Sequence, residues 1–113
     1  MVERRLDYGK MGQDATSYFV EYLQEHADEW RKVPKKYRKR LIDTIEDLTD
    51  TLYGTNNAVK QNQGQPAEKL GVTNSLCCAN DVLGILKEAN ISPPKLFTEI
   101  YRILERRQAE LAS

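Results

Sequence analysis

The most distinctive chemistry of this sequence is the concentration of positive charge in residues 31–40. The segment reads Arg-Lys-Val-Pro-Lys-Lys-Tyr-Arg-Lys-Arg and holds seven of the chain's 17 basic residues. These seven, called here the basic segment, are Arg31, Lys32, Lys35, Lys36, Arg38, Lys39 and Arg40. Clustered ammonium and guanidinium groups bind anions, and the phosphates of nucleic acids are their commonest large partner. We therefore predict that all seven side chains contact nucleic acid.

The position of these cations in the predicted secondary structure supports this interpretation. Pro34 is typical of the first position of a helix. A helix N-terminus carries about half a positive charge, so each cation in the first turn is opposed by about 0.3–1 kcal/mol. The same terminus offers free backbone N–H groups that bind phosphate. Anion binding explains cations at this place, whereas helix stability does not.

Two other interpretations of the basic segment stay open. The cations could neutralise Glu25, Asp28 and Glu29 at the end of the preceding helix, although exposed pairs of this kind contribute less than about 1 kcal/mol. They could also meet an acidic protein surface, which would make the protein an interaction adaptor without nucleic acid. If the partner is a nucleic acid, contacts to its phosphates position it without reading its bases.

Four acids follow the basic segment as Asp43-x-x-Glu46-Asp47-x-x-Asp50. Their spacing resembles the metal-binding carboxylates of all-α nucleotide pyrophosphohydrolases, which is our second alternative function. At about 100° per residue, however, the four lie away from the apolar series of the same helix. We predict that they point to solvent, so we assign no metal-binding residue.

No other constellation of residues predicts catalysis. His26 is the only histidine and is interpreted as an exposed helix residue, while Cys77 and Cys78 are interpreted as reduced core fillers. Phosphate-binding glycine loops, nucleophile triads and zinc spacings are absent from the sequence. We predict a protein that is not an enzyme, with no catalytic residue, no cofactor and no small-molecule substrate.

The elements that position the basic segment are predicted to be helices in a single domain over residues 1–113. Residues 1–13 are expected to be loosely ordered, Asp14 to cap helix one, and Asn90 to end helix three. Apolar residues at spacings of three and four mark each helix. The series are Tyr18, Phe19, Tyr22, Leu23, Ala27 and Trp30; Tyr37, Leu41, Ile45, Leu48 and Leu52; Val72, Leu76, Ala79, Leu83 and Leu86; and Leu96, Phe97, Ile100, Ile103, Leu104 and Leu111. Short connections between four helices predict an all-α fold, an antiparallel four-helix bundle.

Composition bounds the location and the partners. The formal net charge is zero, so the residues outside the basic segment carry −7 and any nucleic-acid contact must be local or repeated in an oligomer. No apolar run is long enough for a membrane span or a leader, so we expect a cytoplasmic protein that does not bind membranes. Ile42 and Tyr53 lie off the main apolar series and are either subunit contacts or part of a wider core.

Residues 30–105 resemble the four-helix-bundle family of 23S rRNA intervening-sequence proteins and accessory variability determinants of diversity-generating retroelements. The resemblance rests on Val33-Pro34-Lys35-Lys36-Tyr37-Arg38 opening a long helix and on Leu52-Tyr53-Gly54-Thr55-Asn56-Asn57 closing its apolar part. A Leu-rich third helix then leads through Asn90-Ile91-Ser92 to a last amphipathic helix.

The resemblance implies a non-enzymatic accessory protein that binds RNA, a reverse transcriptase, or both. It also implies a homo-oligomer, which in this family is a pentamer of four-helix bundles. Only Lys35, Lys36, Arg38, Lys39 and Arg40 correspond to a nucleic-acid-facing surface of the family. The sequence departs from the retroelement proteins in its lower pI of about 6.6 and in reading Ile-Leu-Glu-Arg-Arg at residues 103–107.

Overall fold

A computed structural model describes residues 6–61 and 64–112, and it confirms the predicted all-α fold class. The described residues form five helices and contain no strand. The helices are α1 (Tyr8–Glu25), α2 (Ala27–Lys32), α3 (Lys35–Lys60), α4 (Gln65–Glu88) and α5 (Lys95–Ala112). In the described part of the chain, no helix is both long enough and apolar enough to cross a membrane.

Helix α1 begins seven residues earlier than predicted, since its N-cap is Asp7 and not Asp14. The Asp7 carboxylate accepts a hydrogen bond from the Lys10 amide at 3.0 Å, and Asp14 lies inside the helix. Tyr8, the first helical residue, is buried. The expected loose order of residues 1–13 is therefore wrong for residues 8–13, which are helical, while residues 1–5 lie outside the described residues.

A break at His26 divides the predicted first helix into α1 and α2. His26 has φ −118° and ψ 36°, which no longer fit the α-helix, and its amide still donates to the Tyr22 carbonyl at 2.9 Å. Beyond the break the chain is held by Trp30, whose ring meets Phe19 edge to face with the centroids 5.7 Å apart. The packing of α2 against α1 therefore sets the position at which the chain enters the basic segment.

The apolar series of α3 forms the middle of the core. Leu41, Ile45, Leu48 and Leu52 are buried, and Tyr37 is packed against them. The series predicted for α4 is also confirmed, with Val72, Ala79 and Leu86 buried and Leu76 and Leu83 partly buried. Both helices are amphipathic because their apolar residues recur at the helical period.

Helices α3 and α4 approach each other closely at Gly71, which has no side chain. A Cβ atom built on Gly71 would lie 2.1 Å from the Thr55 hydroxyl oxygen and 2.9 Å from its Cβ. Thr55 is itself buried and donates its hydroxyl to the Thr51 carbonyl at 2.8 Å. Gly71 therefore allows the two helices to meet at a distance that no other residue permits.

Asn90 ends α4 as predicted, in the left-handed conformation with φ 60°. The Ile91 amide donates to the Leu86 carbonyl at 2.8 Å and the Asn90 amide to the Lys87 carbonyl at 3.1 Å, which is the Schellman arrangement. Pro93 and Pro94 precede α5, which begins at Lys95.

In α5, three of the six predicted inward-facing residues are fully buried. They are Phe97, Ile100 and Leu104. Leu96 and Leu111 pack against the core from its edge. The prediction is wrong for Ile103, whose exposed fraction is 39%. Only one side of α5 packs against the core. The apolar stripe of the sequence is wider than this buried side, so Ile103 at its edge stays exposed.

Candidate nucleic-acid interface

The basic segment spans the corner between α2 and α3. Val33 and Pro34 are extended there, with ψ values of 131° and 141°, and α3 begins at the next residue. Val33 is buried and its amide donates to the Trp30 carbonyl at 3.1 Å. A buried apolar residue thus anchors the corner, and the basic residues on either side of it are directed away from the core.

Six of the seven cations are exposed, and Arg38 is half-buried. Two of them have an acidic neighbour. Arg31 lies 3.9 Å from Asp28, and Arg40 lies 3.5 Å from Glu88 on α4, and the side chains of both pairs are more than half exposed. Pairs this open to water and this long contribute little to stability.

The other five cations have no carboxylate within 4.0 Å among residues 6–61 and 64–112. Of the three acids that could have neutralised the segment, Asp28 contacts Arg31 and Glu29 lies 3.7 Å from His26. Intramolecular pairing therefore accounts for only a minority of the positive charge. Four of these five cations, all but Arg38, are exposed at the α2–α3 corner.

The basic residues of α3 occupy two sides of its first turns. At about 100° per residue, Lys35 and Lys39 share one side, and Lys36 and Arg40 share the next. Tyr37 faces the core, as the sequence predicted, and the Lys36 ammonium lies 4.9 Å from the centre of its ring. That contact is a cation–π interaction, and it orients Lys36 at the surface.

The start of α3 has backbone donors that no side chain caps in the described part of the chain, and a buried Arg38 atom lies close to it. No side chain caps the helix there. The Nε atom of Arg38 is buried without a hydrogen-bond acceptor. Such groups normally find a partner in protein, water or a bound anion. A phosphate can accept from the exposed amides at the helix start, whereas the buried Arg38 Nε is closed to a ligand in this structure.

The residues tested for other chemistry do not come together. Asp43, Glu46, Asp47 and Asp50 are all exposed, which confirms that they point to solvent. No group of three or more His, Cys, Asp or Glu side chains in the described ranges is arranged to hold a metal. His26 is partly buried at the helix break and lies beside the Tyr22 ring, with the ring centroids 4.5 Å apart.

The cysteines differ from the prediction. Both are free thiols, but Cys77 is exposed, so its interpretation as a core filler is wrong. Cys78 is partly buried against the core, and this burial raises the pKa of its thiol. Adjacent helical residues point about 100° apart, so only one of the two can face inward.

A second polar cluster, which sequence reasoning missed, joins α1, α4 and α5. Tyr8 donates its hydroxyl to Glu68, and Arg107 donates to the two Glu68 oxygens at 2.9 and 3.2 Å. Burial and the Glu68 carboxylate raise the pKa of Tyr8, and hydrogen bonds to Glu68 raise the pKa of Arg107. These residues lie 60 and 39 positions apart, so no local spacing could reveal the cluster.

Compared with protein-family models, curated proteins and solved structures, the chain shows no significant match.

Proposed function

We propose that this protein is a non-enzymatic accessory factor that binds RNA through the basic segment. The observation that supports this is the exposure of the cations together with the shortage of intramolecular carboxylates around them. Cations that oppose the helix dipole and lack carboxylate partners gain stabilisation when an anion binds beside them. Lys and Arg contacts of this kind bind phosphates and position the partner without base specificity.

The fold behind this surface is proposed to be an antiparallel four-helix bundle of α1, α3, α4 and α5, with α2 as a short extension. Contacts between opposite helix ends support this arrangement. A Cβ atom built on Gly9, at the start of α1, would lie 3.1 Å from the Asn56 side chain near the end of α3, and the start of α3 meets the end of α4 through Arg40 and Glu88. Thr73, early in α4, accepts a hydrogen bond from Gln108, late in α5, at 3.1 Å.

The resemblance described above adds the finer parts of the proposal. In that family the partner is a reverse transcriptase together with its template RNA, acting in a diversity-generating retroelement. The protein would then act in the cytoplasm as a homo-oligomer, so that several copies of the basic segment contact one RNA. Repetition of the patch is consistent with the zero net charge of the single chain.

The test is a titration with structured and single-stranded RNA over a series of salt concentrations. The variant replaces Lys35, Lys36, Lys39 and Arg40 together with Gln. A matched control replaces Lys10, Lys60, Lys69 and Arg102 with Gln, which are exposed, lie outside the segment and remove the same charge. Loss of four phosphate contacts should flatten the slope of log K against log salt by about 3, at roughly 0.7 per contact on single strands.

The control should keep the wild-type slope. An equal slope in both variants would remove the basic segment from the interface, and absence of RNA binding at low salt would favour an adaptor for an acidic protein surface. Incubation with nucleoside triphosphates and magnesium should release no pyrophosphate. Release of pyrophosphate would contradict the assignment as a non-enzyme.

A further inference from the structure

One side of α3 carries charges of both signs in two separate blocks. Lys35 and Lys39 occupy its first two turns, Ile42 follows, and Glu46 and Asp50 occupy the next two turns. At about 100° per residue these five fall within about 80° of one another, so they form a single stripe along the helix. We call these residues the α3 stripe. All five are exposed.

The charges of the α3 stripe have no partners within the molecule. No ion pair within 4.0 Å joins Lys35, Lys39, Glu46 or Asp50 to another described residue. The two blocks also do not pair with each other. Lys39 and Glu46 are seven residues, or about 10 Å, apart along the helix, which is too far for an ion pair. The stripe is therefore electrostatically incomplete in a single copy.

The order of the charges is self-complementary. When a second copy of α3 is laid antiparallel with the two Ile42 side chains at the centre, Lys39 of each copy faces Glu46 of the other. Lys35 then faces Asp50 in the same way. A two-fold axis requires that each contact occur twice, so the stripe provides four intermolecular ion pairs from two kinds of contact.

The surface next to the stripe supplies apolar contact at the centre. A groove of about 600 Å³ runs between α1 and α3, and Ile42, Glu46 and Asp50 form part of its α3 wall. Val20 of α1 faces them across the groove and is 49% exposed, while Ile42 is 40% exposed. An apolar centre surrounded by charge is the usual anatomy of a protein–protein interface.

We propose that the α1–α3 face binds a second copy of this chain, with the two α3 helices antiparallel about Ile42. The interface is polar, so its strength depends on salt. This inference does not require the proposed RNA binding. Lys35 and Lys39 belong to both surfaces, so RNA and the second copy compete for these two residues. Lys32, Lys36 and Arg40 lie off the stripe and stay available to phosphate in the dimer.

The test measures self-association by sedimentation velocity over a series of protein concentrations at low and high salt. One variant carries Lys35→Glu and Lys39→Glu, and a second carries Glu46→Lys and Asp50→Lys. Each should weaken the wild-type dimer about tenfold or more, because like charges then face each other across the axis. An equimolar mixture of the two should restore a dimer, because their stripes are complementary again.

The matched control carries Asp47→Lys and Glu105→Lys, which change the charge equally at exposed acids outside the stripe. It should dimerise as the wild type does. A wild-type protein that is monomeric throughout, an oligomer unaffected by the reversals, or a mixture that does not dimerise would each overturn the proposal. RNA binding by the Glu46→Lys, Asp50→Lys variant, whose basic segment is intact, separates failure of the dimer from failure of the proposed function.

Discussion

The two ends of α4 show opposite uses of an arginine beside a glutamate. Near its start, Glu68 and Arg107 are 13% and 26% exposed and are joined by two hydrogen bonds, with Tyr8 adding a third. Near its end, Glu88 and Arg40 are each 57% exposed and lie 3.5 Å apart without a hydrogen bond. The first pair holds three helices together, whereas the second only lies at the surface.

This difference separates charge that belongs to the fold from charge that is available to a partner. Breaking a partly buried, hydrogen-bonded pair leaves an uncompensated charge, so the residues of the first end are expected to be sensitive to substitution. Exposed pairs are worth between zero and about 1 kcal/mol. The basic segment lies at the second end, where losing a cation costs the fold little and alters the surface potential directly.

The sharpest contrast between the ends is predicted for two glycines of α4. Gly71→Ala places a methyl group 2.1 Å from the Thr55 hydroxyl oxygen, which is shorter than van der Waals contact, and should lower the free energy of unfolding by about 3 kcal/mol. Gly84→Ala meets nothing within 4 Å and should raise it by about 0.8 kcal/mol through helix propensity. Urea unfolding followed by circular dichroism measures both, and equal effects would contradict the close approach of α3 and α4.

The two arginines give the second contrast. Arg107→Gln should destabilise the protein by about 2 kcal/mol because Glu68 loses charged hydrogen bonds at a partly buried site. Arg40→Gln should change stability by less than about 0.5 kcal/mol, as expected for an exposed residue. Thermal and chemical unfolding of the two variants beside the wild type measures the difference. If Arg40→Gln proved the more damaging of the two, the functional assignment of the basic end would lose its basis.

The third contrast is the response to alkaline pH. The pKa of Tyr8 is raised above its ordinary value of 10.0 by burial and by Glu68. The unfolded chain therefore releases this proton at a lower pH than the folded chain, so the stabilisation is complete below pH 10 and is lost as the pH rises above it. Tyr8→Phe should reduce this alkaline loss and should cost about 1 kcal/mol at neutral pH.

The test is to measure unfolding between about pH 8 and pH 11, a range that brackets the ordinary tyrosine pKa of roughly 10. The exposed Tyr53 supplies the control, since Tyr53→Phe should leave the pH dependence as it is in the wild type. A Tyr8→Phe profile parallel to that of the wild type would show that the Tyr8 hydrogen bond does not couple α1 to α4.

The local pattern of the sequence was sufficient for α3 and α4 and insufficient for α1. Leu41, Ile45, Leu48 and Leu52 recur at the helical period, and the same period decides their burial. The start of α1 contains Gly9 and Gly12, which are weak helix formers, so its helical state depends on contacts that the local sequence does not contain. One of these is the burial of Tyr8 against residues far along the chain.

The candidate site was predictable in composition and only partly in arrangement. Charge density and Pro34 located the basic segment, and its exposure follows from the apolar anchors Val33 and Tyr37 within it. The sequence could not show that Arg40 lies beside Glu88, because 48 positions separate them and the contact depends on how α4 packs. For the same reason it could not distinguish which acids neutralise the segment.

The interruption at His26 has a consequence for how this protein can vary. Because a helix turns by about 100° per residue, inserting or deleting one residue between 26 and 33 would swing Arg31 and Lys32 around the axis of α2. The cations of α3 would stay where they are, held by the core. The length of this short stretch therefore governs whether its two cations join the others in one charged surface, so indels here should be tolerated less well than changes of residue type.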